Sequence, residues 1–489
     1  MTTVGKKPSL ALSLFPVAIL IVLLAGSVAL FGDSNSGGPN QLALILAASI
    51  AAVVGMRLGY PWKELEAGIV HGISLSLGAV LILLIVGALI GSWILAGIVP
   101  TMIYYGLQLL TPAIFFPSAC LLCCLVSLAT GSSWTTAGTV GVALIGIAVA
   151  QNLNMGLAAG AVVSGAYFGD KMSPLSDTTN LAPAMAGTDL FTHIRHMLWT
   201  TTPSLIIALI LYTVIGMTST APHDTATVNA IRESLAANFN IGLHLLLPVV
   251  LVLFMVVRKV PATPALMVGA IVGCVFAAIF QPAAVITLAD STTLPAWAAV
   301  IKGCWHALAS GFSLSSGNTA LDELLSRGGM GSMLNTVWLI LSAMTFGAIM
   351  ETTGMLARIA ESILSAVRGT GSLIAATLAT SVGMNIVASD QYIAIVLPGR
   401  MFRAEFARRG LAPQNLSRCL EDAGTMTSAL VPWNTCGAFM AQTLGVATMA
   451  YAPYAFLNLL NPVISAIYGF TGFSITKLDA KPETAREIR

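Results

Sequence analysis

Apolar runs of spanning length recur along this chain, separated by short polar interruptions. A bilayer core about 30 Å thick needs roughly 20 apolar residues in a helix. The first half carries seven such segments, near 10–31, 41–56, 72–99, 112–130, 136–150, 155–168 and 196–217. The second half carries seven more, near 243–257, 264–281, 333–350, 371–384, 388–398, 424–447 and 453–470, with an extra stretch near 296–315. The runs are continuous rather than alternating, so the pattern is helical and not that of a membrane barrel. The shorter segments predict half-helices or re-entrant hairpins.

Four stretches recur in order. "LFPVAIL" at Leu14 returns as "LLPVVLVL" at Leu246, and "GALIGSW" at Gly87 as "GAIMETT" at Gly347. "ATGSSW" at Ala129 returns as "TSVGMNI" at Thr380, and "SPLSDTTN" at Ser173 as "SALVPWNT" at Ser428. The chain therefore divides into a first transmembrane repeat, 1–218, a polar periplasmic linker, 219–240, a second repeat, 241–475, and a cytoplasmic tail, 476–489. An odd number of crossings per repeat makes the two inverted, and basic loops favour the cytoplasm. Lys6, Lys7, Arg57, Lys63 and the His193–His196 loop then fall inside, as does the richly basic Arg400–Arg418 loop, which matches the uncharged Gln151–Gly156. The expected architecture is an all-α polytopic membrane protein of two inverted-topology repeats with broken helices, both termini cytoplasmic. Such transporters place their site near the membrane midplane, where the repeats meet.

Composition supports a membrane-embedded chain. Of 489 residues, 56% are hydrophobic and 9% charged, against about 25% charged in soluble domains. A net charge of +2 gives no footing for nucleic acid. Cys120, Cys123 and Cys124 lie in an apolar run and read as small packing residues, with no metal-ligand spacing among the seven cysteines. No phosphate loop, nucleophile elbow or HExxH motif is present, which argues against ATP drive and enzymatic chemistry and implies no cofactor.

The chemistry concentrates where the apolar pattern breaks. "GDKMSPLSDTTNLAPA", Gly169–Ala184, places Asp170, Lys171, Asp177, Thr178, Thr179 and Asn180 between two prolines. Proline interrupts the helical ladder, and freed carbonyls with oxygen side chains suit a small cation such as Na⁺. A solvated loop is the structural alternative. Asp170 and Lys171 are adjacent, and their mutual neutralisation is one reading. "TGSSWTTAGT", Thr130–Thr139, offers Ser132, Ser133 and Thr135, or simply close helix packing. "NIVASDQY" puts Asn385 and Asp390 inside an uncharged run, where an acid is costly and points to function. "VPWNTCG" supplies Asn434 and Thr435, or a capped proline kink. Glu351 falls near a helix end, and Glu421 and Asp422 read as acids at a cytoplasmic helix start.

Taken together, "GSSWTTAGTVG", "GDKMSPLSDTTNLAPAMAG", "DLFTHIRHMLWTTTP", "SDQYIAIVLPGRMF" and "LVPWNTCGAFMAQTLGV" resemble the NhaC family of bacterial sodium/proton antiporters, within the ion transporter superfamily. The resemblance implies secondary transport across the bacterial inner membrane. It implies an ion-binding and coupling set of Asp177, Thr178, Thr179, Asn180, Asn385, Asp390, Asn434 and Thr435, with Na⁺ held at Asp177, Asn180, Asp390 and Asn434. Ser132, Ser133, Thr135, Asp170 and Glu351 are secondary candidates. Partners are Na⁺, H⁺ and the lipid bilayer, with a homodimer compatible. The expected function is Na⁺/H⁺ exchange by alternating access, with Asp177 and Asp390 the first-choice coupling acids. The alternative is a Na⁺- or H⁺-coupled carrier of a small organic anion, of malate/lactate type, or of an amino acid, its carboxylate held by Ser132, Ser133, Thr135 and half-helix N-termini.

Overall fold

The computed structural model describes residues 5–31, 38–218, 225–291, 293–315, 322 and 325–478. Residues 219–224 of the expected linker and 479–489 of the expected tail lie outside that set. The described residues are almost wholly helical and hold one isolated bridge, Leu411 with Lys477. Nine of their helices are long and apolar enough to cross a membrane, or ten if a pair bent by 87°, Val228–Asn238 with Leu243–Val257, forms one span.

The first half contains α1 (Leu10–Phe31), α2 (Pro39–Arg57), α3 (Trp62–Leu95), α4 (Ile98–Leu109), α5 (Pro112–Thr130), α6 (Ser133–Ala150), α7 (Met155–Met172), α8 (Asp177–Ala186) and α9 (Leu190–Thr218). A helix at Thr225–Asn238, α10, occupies most of what the sequence reads as a linker. The second half contains α11 (Leu247–Val257), α12 (Ala262–Phe280), α13 (Pro282–Ala289), α14 (Ala296–Ser310), α15 (Leu334–Thr352), α16 (Met355–Ser365), α17 (Thr370–Val387), α18 (Gln391–Arg408), α19 (413–428), α20 (Thr435–Leu444) and α21 (Phe456–Thr471). Both α6 and α19 contain a π-helical stretch, Ala137–Gly141 and Leu420–Thr425.

The same series of backbone breaks occurs twice. Left-handed residues stand at Gly97 (φ 76°) and Gly354 (φ 72°), 257 positions apart. They stand again at Gly131 and Ser389, Asn152 and Gly410, and Gly187 and Gly445, each pair 258 apart. Helix N-caps at Ser132 and Asp390, and at Ser176 and Asn434, keep the 258 spacing. This corrects the register read from sequence. The partner of "SPLSDTTN" is Val431–Ala438, which aligns Pro174 with Pro432, and the partner of "ATGSSW" is Val387–Tyr392.

Several expected boundaries move. The apolar segment 424–447 is two helices, because the chain leaves α19 after Ser428 and restarts at Thr435. The basic "loop" Arg400–Arg418 is the end of α18 and the start of α19, and Arg418 is fully buried. His193 and His196 lie in the first turns of α9, both buried. Pro183 does not stop α8, which runs on to Ala186.

Small residues let the broken helices pack closely. A Cβ on Gly165 of α7 would stand 2.2 Å from the Cys120 carbonyl of α5. Alongside it, Ser127 Oγ donates to Gly165 O at 2.9 Å and accepts from Gly169 N at 2.9 Å. Those two bonds fix α7 against α5 one turn before Asp170.

Candidate ion site at the paired helix breaks

The first-half cluster forms around Asp170. After α5 ends at Gly131, Ser132 caps α6 by accepting from Thr135 N at 3.2 Å. This turns Ser133 towards the last turn of α7, where its hydroxyl donates to Asp170 Oδ2 at 2.6 Å. The chain then breaks over 173–176, and Ser176 Oγ donates to Asp170 Oδ1 at 2.8 Å. Thr178 and Thr179 donate to the Asp170 carbonyl at 3.2 and 2.7 Å. Asp170 is thus held by both broken segments of its half, and its carboxylate accepts two hydroxyl bonds, each worth about 1.5–3 kcal/mol for a charged acceptor.

The second half repeats the plan with different chemistry. Ser389 takes the left-handed turn, and Asp390 caps α18 by accepting from Ile393 N at 3.0 Å. Asn434 caps α20 at Cys436 N, 3.0 Å, and its amide donates to Asn385 O and Oδ1, both at 3.1 Å. Asn385 in turn donates to Gly424 O at 2.7 Å, inside the π-helical stretch of α19. Thr435 N donates to Ser389 O at 3.0 Å, tying the two breaks together. Ser428, the counterpart of Asp170, donates to Gln391 Oε1 at 3.3 Å, and Gln391 is the counterpart of Ser133. The bond between the two broken segments is preserved while the acceptor moves from one side of it to the other, from the Asp170 carboxylate to the Gln391 amide.

The clusters face each other. Trp134 of α6 stacks on Phe439 of α20 with ring centroids 3.9 Å apart. Tyr392, the counterpart of Trp134, is close enough to Asp177, Asp170 and Asp390 to feel all three charges. Cys436 lies within the same reach of Asp170 and Asp390. One acid from each half therefore lies near Tyr392 and Cys436, among the hydroxyl, amide and carbonyl oxygens of the two sets of breaks. Such hard oxygen donors suit an alkali cation, and among the described residues no group of three His, Cys, Asp or Glu could hold a transition metal.

Of the residues singled out in sequence, Thr178, Thr179, Asn385, Asp390, Asn434, Thr435, Ser133 and Thr135 are buried within these clusters. Asp177 and Asn180 are exposed. Asp177 opens α8 with its carboxylate outside the Asp170 cluster, and the Asn180 amide donates to Pro174 O and Ser176 O, closing the break loop. Asp177, a first-choice coupling acid in sequence, is thus solvent-facing, and the half-buried Asp170 is the acid at the centre of the first-half cluster. Glu351 is exposed beside the end of α15 and near enough to Asp390 to act on it. Gln391, Tyr392 and Cys436 carry no separate signal in the sequence, although each lies within or beside a quoted motif.

A second polar cluster lies behind the first. Lys171 does not neutralise Asp170. Its Nζ donates to Asp422 Oδ1 and, at 2.5 Å, to Asn461 Oδ1. Thr200 Oγ1 donates to the same Asp422 oxygen at 3.0 Å, and Arg418 Nε lies 3.9 Å from Asp422 Oδ2. Lys171, Arg418, Glu421 and Asp422 are all fully buried, so the two acids are not a solvated helix start but part of an interior polar group in which Asp422 is paired with Lys171.

A sequence profile of the Na⁺/H⁺ antiporter family matches residues 165–473. The Na⁺/H⁺ antiporter NhaC of Alkalihalophilus pseudofirmus is 38% identical over 472 residues, 96% of this chain and 98% of the relative. The chain belongs to the Na⁺/H⁺ antiporter family. It also aligns at 38% identity with the malate-2H⁺/Na⁺-lactate antiporter of Bacillus subtilis, over 89% of this chain and 90% of that one. The arginine/ornithine antiporter of Halobacterium salinarum is 37% identical, over 99% of this chain and 96% of that one. The family match begins at Gly165, ahead of Asp170, and so takes in both the break after α7 and its second-half counterpart.

Proposed function

We propose that this chain exchanges Na⁺ for H⁺ across the bacterial inner membrane by alternating access, with its two halves inverted and both termini cytoplasmic. The observation that carries this reading is that Asp170 and Asp390, one from each set of helix breaks, both lie near Tyr392 and Cys436. A buried carboxylate in such a place binds a cation or a proton but not both, and competition for it couples the two fluxes without ATP. The neutral oxygens of Ser133, Ser176, Asn385, Asn434 and Thr435 complete a coordination shell when Na⁺ replaces the proton. Family membership supports the same reading. Asp177, exposed at the start of α8, attracts the ion before it reaches Asp170. The test is sodium-driven proton movement in vesicles that contain no organic solute. A second reading, coupled exchange of an organic anion or amino acid, is favoured by the malate/lactate and arginine/ornithine relatives. The same assay separates the two, because that reading requires the organic solute.

A further inference from the structure

Beside the second-half break lies a cavity of about 1210 Å³. It exceeds the roughly 300–1,000 Å³ of ordinary ligand sites, so it has room for a small molecule with water around it. Arg327 is the one charged side chain among its described lining residues. Two of its nitrogens, Nε and Nη2, are buried without a hydrogen-bond partner, and it makes no ion pair among the described residues. Arg327 as a residue is half-buried, and leaving two guanidinium donors away from both water and a protein acceptor is costly.

The fold goes to some length to hold it there. Gly328 and Gly329, both left-handed (φ 94° and 79°), press the chain against α3, where Gly329 N donates to Gly87 O at 2.6 Å. A Cβ on Gly87 would stand 2.5 Å from Gly329 O, and one on Gly91, a turn later, 2.2 Å from Ala307 O. The "GALIGSW" stretch is therefore a notch that seats this loop. Phe312 N donates to Arg327 O at 3.2 Å, fixing the residue from the other side. Arg327 Nη1 lies beside Gly445 at the C-terminus of α20, but a helix terminus contributes only about 0.3–1 kcal/mol to a nearby cation. That offsets a fraction of the cost.

The cavity lining also includes Ile386 and Trp433, joined by a 2.7 Å bond from Trp433 Nε1 to Ile386 O. Their chain neighbours Asn385 and Asn434 belong to the candidate ion site. The cavity and the ion site thus share a wall. Asn40, Ser332, Asn335, Thr336 and Gln442 supply polar atoms around an otherwise apolar lining. A guanidinium fork, a few neutral polar groups and an otherwise apolar lining match a small organic acid: an anionic head with a short carbon body.

We propose that this cavity binds a small organic carboxylate, with its carboxylate on Arg327. The proposal rests on the reading of the chain as a transporter and adds an anion site across one wall from the cation site. The probes are lactate, malate and L-arginine, each titrated calorimetrically into the purified full-length protein at saturating Na⁺. At least one binds saturably to the wild type, R327Q weakens it tenfold or more, and R327K weakens it less, because charge survives but the fork does not. If R327Q does not purify as a monodisperse protein, R327K against wild type carries the comparison. Absence of binding by all three probes, equal affinity in the variants, or occupancy by phosphatidylglycerol headgroups alone in lipid discs would overturn the proposal. Sodium-driven proton movement by the wild type without organic solute tests the exchange reading separately, so either can fail alone.

Discussion

Asp390→Asn separates a structural role from a functional one unusually well. Asp390 Oδ1 accepts from Ile393 N at 3.0 Å and caps α18. Asparagine caps about as well as aspartate, so the bond survives the change. Loss of the negative charge at the helix N-terminus costs about 0.3–1 kcal/mol. Asp390→Ala, which removes the acceptor, costs about 0.5–2 kcal/mol. The functional loss is larger. A cation about 4 Å from one carboxylate gains about 4 kcal/mol at an effective dielectric of 20, roughly a thousandfold in affinity at 1.4 kcal/mol per decade. Asparagine also cannot exchange a proton. Sodium-induced dequenching of a pH dye, measured over a range of Na⁺ concentrations in vesicles of matched protein content, reads the transport side. Denaturant titration of the purified protein reads the structural side. The expected pair is near-native stability with exchange abolished or shifted to far higher Na⁺. Wild-type dequenching by Asp390→Asn would reduce Asp390 to a helix cap and refute the reasoning.

Three further outcomes follow from the geometry. Asp170→Asn, which cannot keep both hydroxyl bonds to a charged acceptor, stops sodium-driven proton movement, whereas the exposed Asp177→Asn leaves measurable exchange; equal loss in the two would remove Asp170 from its central place. Lys171→Met, which strips Asp422 of its closest cation inside the protein, destabilises the chain by about 3–5 kcal/mol, and Lys171→Met with Asp422→Leu recovers a large part of this in denaturant titration; additive costs would refute the pairing. Ser389→Gly relieves a left-handed serine (φ 60°) with a buried, unpartnered hydroxyl and raises the stability read by denaturant titration by about 1–2 kcal/mol; the equivalent first-half position is already Gly131.

Much of the fold is legible in the sequence because membrane burial writes itself as long apolar runs. Helices α1, α2, α5, α9 and α12 fall close to where hydropathy puts them. The connecting helices α4 and α16 escape that reading: each is short, and α16 carries Arg358 and Glu361 on a half-polar face. The register of the duplication is misread because its constant features are backbone conformations and caps, not residue types. Serine in one half is aspartate in the other at the 132/390 pair, and glycine is serine at 131/389. The site motifs stand out as polar islands in an apolar chain, but their wiring does not. Asp170 and Lys171 are neighbours in sequence and point to different faces of α7. Their partners, Ser133 and Asp422, lie 37 positions before one and 251 after the other. Asp177 looks buried because everything around it is oily, yet as the opening residue of α8 its side chain leaves the packed interior.

The most direct test of the exchange account uses the purified wild-type protein in proteoliposomes loaded with a pH dye, free of organic acids and amino acids. A pulse of external NaCl drives protons in the opposite direction, saturably and without ATP, and the Asp170→Asn/Asp390→Asn double variant gives no response. Proton movement that is absent with Na⁺ alone and appears only after a carboxylate or amino acid is added would contradict the account.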